Sequence, residues 1–171
     1  MAETVRAFIG VGSNVDRHRH IRAGLDALAA EFGELEVSPV YESEAVGFDG
    51  SPFFNLVVGI HTDKSVAELS RCLKVIELAN GRHPQARRFS PRTLDLDILT
   101  YGHLDHRTDG VELPRPEILY NAFVLRPLAE LAGDDRHPVN GRTYRELWAA
   151  YDRDQKLWPA DFRWPGPPSE A

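Results

Sequence analysis

A chain of 171 residues is long enough for one domain with a genuine core and short for two. Its 42% hydrophobic and 27% charged content is ordinary for a water-soluble domain. The formal net charge of −6 counts against general nucleic-acid binding, which favours a basic surface. The lone cysteine, Cys72, cannot close an internal disulfide, which points to the reducing cytoplasm. Without an apolar leader or a long apolar run, a membrane location is not expected. The expectation is a cytoplasmic monomer with small-molecule partners, no nucleic acid and no membrane. Residues 1–160 would form a single domain and 161–171 a Pro-rich tail.

Val5 to Val11 is a short apolar run that predicts a buried strand, and Gly10-Val-Gly-Ser-Asn14 reads as the turn that ends it. Neither a dinucleotide fingerprint nor a Walker-type Gly-x-x-x-x-Gly-Lys is present. Asn14 or Asp16 is the expected N-cap of a helix carrying Ile21, Leu25, Leu28 and Phe32, with Gly33 as its stop. Leu35 to Glu44 reads as extended, with Val37 and Tyr41 inward. Ala45 to Pro52 reads as a loop.

Phe53 to Thr62 predicts the next strand, with Phe54, Leu56, Val58 and Ile60 on one face and Phe53, Asn55 and Val57 on the other. Asn55 is either satisfied by backbone at a sheet end or used to recognise a ligand, and spacing does not choose between the two. Ser65-Val-Ala-Glu68 is a capping box that opens a helix with Val66, Leu69, Leu73 and Ile76 on its apolar stripe. Cys72 on that helix reads as a small core residue and Glu77 as a solvated surface acid.

After a central strand, Tyr101 to His106 turns the chain, and His18, His20, His103 and His106 read as surface histidines rather than metal ligands. Val111 to Pro116 reads as extended, and Phe123 to Leu131 as a short final helix. The three tryptophans, Trp148, Trp158 and Trp164, are expected to cover an edge of the core, with the extreme tail loose. The order β-α-β-β-α-β plus a C-terminal helical extension predicts an α+β, ferredoxin-like fold, an antiparallel sheet with helices packed on it.

The central strand carries the chemistry. In Leu94-Asp-Leu-Asp-Ile98 the carboxylates Asp95 and Asp97 alternate with aliphatics, so both acids share one face of a strand. Just upstream, Arg82, Arg87, Arg88 and Arg92 lie in a stretch without Asp or Glu. Hard carboxylate oxygens suit Mg²⁺, and guanidinium groups match phosphate oxygens, so the pairing suits a metal-bound polyphosphate.

Pro91-Arg-Thr-Leu-Asp-Leu-Asp-Ile-Leu99 resembles the signature of the 6-hydroxymethyl-7,8-dihydropterin pyrophosphokinase family. Gly12-Ser-Asn14, Tyr41-Glu-Ser43, Asn55 and Ala122-Phe-Val-Leu-Arg-Pro-Leu128 extend the resemblance over most of the chain. It implies transfer of pyrophosphate from ATP to the hydroxymethyl group of a reduced pterin, giving AMP and the pterin diphosphate in folate biosynthesis. It further implies two Mg²⁺ ions on Asp95 and Asp97, with Arg82 and Arg92 on the phosphates during transfer. Arg88 and Arg115 would add phosphate contacts, and Glu77 and Ile98 would line the nucleotide site. Ser43, Val46, Phe53, Asn55, Phe89 and Phe123 would hold the pterin.

Several positions depart from the family pattern. Phe89-Ser90 replaces a common Trp-Gly, Pro84 and Gln85 stand where basic residues are common, and Arg115 replaces a frequent His. Asn121 stands for a common Arg and Glu44 for a frequent Pro, while the acid pair is untouched. The alternative reading is a catalytically weak paralogue that binds nucleotide or pterin as a regulator. An RNA-binding module is disfavoured by the net charge.

Overall fold

The computed structural model describes residues 3–44, 52–81 and 93–166. In chain order these form β1 (Val5–Ser13), α1 (Arg17–Phe32), β2 (Glu36–Val37), β3 (Tyr41–Ser43), β4 (Phe53–Thr62), α2 (Val66–Ala79) and β5 (Asp95–Tyr101). A single 3-10 turn (Pro116–Leu119), α3 (Ala122–Ala132), α4 (Tyr144–Ala149) and β6 (Leu157–Pro159) follow. The described strands make one sheet in the order β5-β1-β4-β3-β6, with β2 beside β4, and every pairing is antiparallel. This is the expected α+β arrangement, with helices on the sheet.

The sheet divides its residues cleanly. Ile9 and Val11, Phe54 to Ile60 at alternate positions, and Leu94, Leu96 and Ile98 face α1 and α2, meeting Ile21, Leu25, Leu28, Leu69 and Leu73 in the main core. The other face carries Phe8, Val57 and Leu99, which pack on Ile118, Leu125, Leu128 and Tyr144 of the second helical layer. Strand periodicity of two is what allows one strand to serve both layers.

The helix signals act locally. Ser65 and Glu68 form the expected capping box, and the backbone N–H of Gly33 closes α1 on Ala29 O at 2.9 Å. At the other end of α1, Asp16 occupies the N-cap in a left-handed conformation, φ 46°, and makes no side-chain cap. The extended stretch after α1 is broken at Pro39, which has no N–H to offer a ladder. Ser38 bridges the break, its N–H bonding Val57 O at 2.9 Å while its hydroxyl accepts the Val57 N–H at 2.8 Å.

Several expectations need correction. Gly10-Val-Gly is no turn: β1 continues through both glycines to Ser13, held by β4 and β5 on either side. The helix from Ala122 is not the last, because Thr143 and Glu146 form a second capping box that opens α4. The C-terminal extension is also not wholly helical, since Leu157–Pro159 adds an edge strand against β3. In the region read as a tail, Phe162 and Trp164 pack on the main core, and Trp164 Nε1 donates to Asp26 at 2.9 Å. Trp158, by contrast, is exposed.

Candidate active site

Gly10 and Gly12 share the second face of the sheet with the acid pair. Reading across at one level, Asp95 lies opposite Gly12, Gly12 opposite Asn55, and Asn55 opposite Tyr41. One step along, Asp97 lies opposite Gly10. The acids and Asn55 are therefore two strands apart, roughly 10 Å at ordinary strand spacing. The strand between them presents no side chains. A Cβ on Gly12 would come within 3.3 Å of Asn55 Oδ1 and 3.7 Å of the Phe53 ring. The result is a flat floor with acids at one side and a polar amide at the other.

On the acid side, burial and the neighbouring Asp95 carboxylate push Asp97 well above the usual carboxylate range, and Arg115 pulls it only partly back. Arg115 is aimed there by its backbone N–H, which bonds Leu99 O at 2.8 Å beside β5. Its Nη2 reaches Asp97 Oδ1 at 3.1 Å, and Nη1 lies 3.7 Å from Glu117 Oε2. Glu77 is not the solvated acid expected. It is buried, and its Oε2 accepts the Leu96 N–H at 2.7 Å, satisfying the outer edge of β5 from α2. An edge strand otherwise presents unpaired backbone groups, and this bond supplies one partner.

On the amide side, Asn55 Nδ2 donates to Ser43 Oγ at 2.6 Å, and both residues are buried. Phe53 shares their face, and Phe123 lies in the first turn of α3. Neither backbone nor spacing alone decided the role of Asn55. Its partner is a side chain, which leaves its amide oxygen over the glycine floor. Gln155, which sequence reasoning missed, ties the end of α3 to the C-terminal segment. Its Oε1 accepts the Ala122 N–H at 2.7 Å, and its Nε2 donates to Tyr120 O at 3.2 Å and Asn121 Oδ1 at 3.1 Å. Two residues on, Leu157 pairs with Ser43, so this segment spans the rim from α3 to the amide side.

The sequence model of the 7,8-dihydro-6-hydroxymethylpterin-pyrophosphokinase (HPPK) family matches residues 8–133. This chain belongs to the HPPK family. It is 40% identical over 149 residues to the 2-amino-4-hydroxy-6-hydroxymethyldihydropteridine pyrophosphokinase of Pseudomonas aeruginosa, covering 85% of this chain and 91% of that protein. The enzyme of the same name from Bacillus subtilis is 36% identical over 129 residues, 73% of this chain and 77% of its own length. Among solved structures, a Plasmodium falciparum HPPK-DHPS triple mutant with pteroate superposes with a TM-score of 0.68 at 13% identity. That likeness covers 86% of this chain but only 43% of the Plasmodium chain, and it speaks to the fold.

Set on this HPPK fold, the expected site residues separate into groups. Asp95 and Asp97 come together with Arg115 on one side of the floor, and Ser43, Phe53 and Asn55 gather on the other. Ile98 does not join them: its side chain is buried on the opposite face, against the main core. Val46, Arg82, Arg88, Phe89 and Arg92 lie outside the described residues, as do Pro84, Gln85, Arg87 and Ser90. His18, His103 and His106 are exposed, whereas His20 is buried and its Nδ1 lies 2.6 Å from Val15 O. Cys72 is half-buried, and burial pushes its thiol pKa up, away from the reactive thiolate.

The acid pair fits Mg²⁺. Two carboxylates on one face, each disfavouring the other's charge, form a hard-oxygen site that a divalent cation would relieve. Among the described residues no group of three or more His, Cys, Asp or Glu side chains could hold a metal. Two protein carboxylates would leave room for phosphate oxygens and water, which Mg²⁺ usually keeps in its shell.

Proposed function

We propose that the glycine floor between Asn55 and the Asp95–Asp97 pair is the place where ATP passes its outer two phosphates to 6-hydroxymethyl-7,8-dihydropterin. The enzyme is an ATP-dependent pyrophosphokinase of folate biosynthesis. The observation that carries the placement is the register Asp95–Gly12–Asn55, which sets a polar recognition group and an acid pair on one bare surface. A flat heterocycle can lie on such a floor between aromatic rings with its polar edge at an amide.

In this reading Ser43, Val46, Phe53, Asn55, Phe89 and Phe123 hold the pterin, with Asn55 reading its edge. Asp95 and Asp97 would hold two Mg²⁺ ions, whose chemistry is to screen phosphate charge and polarise the reacting phosphorus. Arg82, Arg88, Arg92 and Arg115 bind the triphosphate oxygens, with Arg82 and Arg92 strengthening their hold as charge develops. Glu77 borders the nucleotide while it braces β5. Ile98 would serve through its main chain, since its side chain is committed to the core. The pterin hydroxymethyl oxygen forms a bond to the β-phosphorus as the bond from that phosphorus to the AMP oxygen breaks. The hydroxyl proton leaves to water.

We place this activity in one domain over residues 1–160 acting as a cytoplasmic monomer. None of the helices in the described residues is long and apolar enough to cross a membrane. The regulator reading is not favoured, because relatives at 40% and 36% identity both carry the enzyme's name. Incubation with ATP, Mg²⁺ and the reduced pterin, followed by chromatography, tests the assignment. AMP and pterin diphosphate should appear in equal amounts. ADP in place of AMP, or no nucleotide product, would overturn it.

A further inference from the structure

Arg115 is poorly satisfied for a structural arginine. Among the described residues, only one of its five N–H donors makes a hydrogen bond, from Nη2 to Asp97 at 3.1 Å, because the 3.7 Å approach to Glu117 is too long to be one. Its Nε is buried without a hydrogen-bond partner among the described residues, and so is Glu117 Oε2 beside it. A guanidinium stays charged at any physiological pH, so Arg115 cannot release Asp97 by losing a proton. It can only move.

We propose that Arg115 is a resident counter-ion of the acid pair, which a divalent cation must displace from Asp97 and which then turns to the incoming triphosphate. The inference rests on the reading of Asp95 and Asp97 as metal ligands. While Arg115 sits on Asp97 it neutralises the carboxylate that a metal would need, so it weakens metal binding to the empty enzyme. Once displaced, its unfilled donors meet phosphate oxygens, so it strengthens binding of the metal–nucleotide complex. The same side chain therefore favours joint arrival of metal and nucleotide over metal alone. Its effect on free metal is opposite in sign to that of an ordinary binding-site residue.

Mn²⁺ binding followed by electron paramagnetic resonance tests this on the full chain, with and without a non-hydrolysable α,β-methylene ATP analogue. Arg115→Met should bind free Mn²⁺ roughly tenfold tighter than wild type, the size expected for removing one nearby charge. Its affinity for the Mn²⁺–analogue complex should fall below wild type. Arg115→Lys, which keeps the charge, should stay near wild type for free Mn²⁺ and shows that the site tolerates substitution. Unchanged or weaker Mn²⁺ binding in Arg115→Met, or equal behaviour of the Met and Lys variants, would overturn the proposal. If wild type binds no Mn²⁺ under either condition, the metal reading of the acid pair fails instead.

Discussion

Leu94, Leu96 and Ile98 are at most 5% exposed on the α1/α2 face of the sheet. On the opposite face, one residue out of step, the Asp97 side chain keeps 41% exposure although its surroundings penalise its charge. The two faces are made of the same strands, yet one is optimised for burial and the other tolerates an unfavourable acid. The difference teaches that a period-two backbone can carry core and chemistry side by side without compromise between neighbouring residues. Stability and function should then be separable by substitution.

The largest effect is expected from Asp97→Ala. Single-turnover AMP release should fall by on the order of 10³-fold or more, the scale of losing a central electrostatic group. The melting temperature should hold or rise, because a carboxylate disfavoured by burial and by Asp95 has gone. A variant that is both inactive and markedly less stable would break the comparison.

Leu25→Ala probes the sealed face. Leu25 is 0% exposed, so truncation should cost about 2–5 kcal/mol in denaturant unfolding. Turnover per folded molecule should stay within roughly twofold, as distant sites act independently. Asn55→Ala probes the open face more gently. Calorimetry should show pterin binding weakened by about 1–3 kcal/mol, with nucleotide binding unchanged. Equal losses for both substrates would mean that Asn55 shapes the sheet and does not read the pterin.

The smallest effect sharpens the comparison within the second layer, where α3 and α4 cover the sheet. His137 is buried, and its Nδ1 accepts the N–H groups of Asn140 at 2.9 Å and Val139 at 3.2 Å. Burial lowers its pKa below the ordinary 6.5, so the unfolded chain takes up this proton at higher pH than the folded one. The histidine's contribution is therefore complete above about pH 6.5 and declines as pH falls below that value. Denaturant midpoints at pH 7.5 and 5.5 should differ more for wild type than for His137→Gln. Parallel pH dependence in the two proteins would show that His137 does not contribute to it.

The alternation in Leu94-Asp-Leu-Asp-Ile98, the Ser65–Glu68 capping box and the alternate faces of Phe53–Thr62 were all legible in the sequence. Each depends on backbone geometry within a few residues, and local geometry is written in local sequence. The Thr143–Glu146 box is just as local and announces α4 in the same way. Other features depended on register and long-range packing. Gly10 and Gly12 look like a turn until β4 and β5 pair on either side and make them a floor. Glu77 looks solvated until it meets Leu96, 19 residues on, and Gln155 has no visible role until it meets Ala122 across 33. Which acids and bare strand positions come to share one face, and what cation rests on them, is settled only when distant segments pack, because those contacts have no local period to announce them.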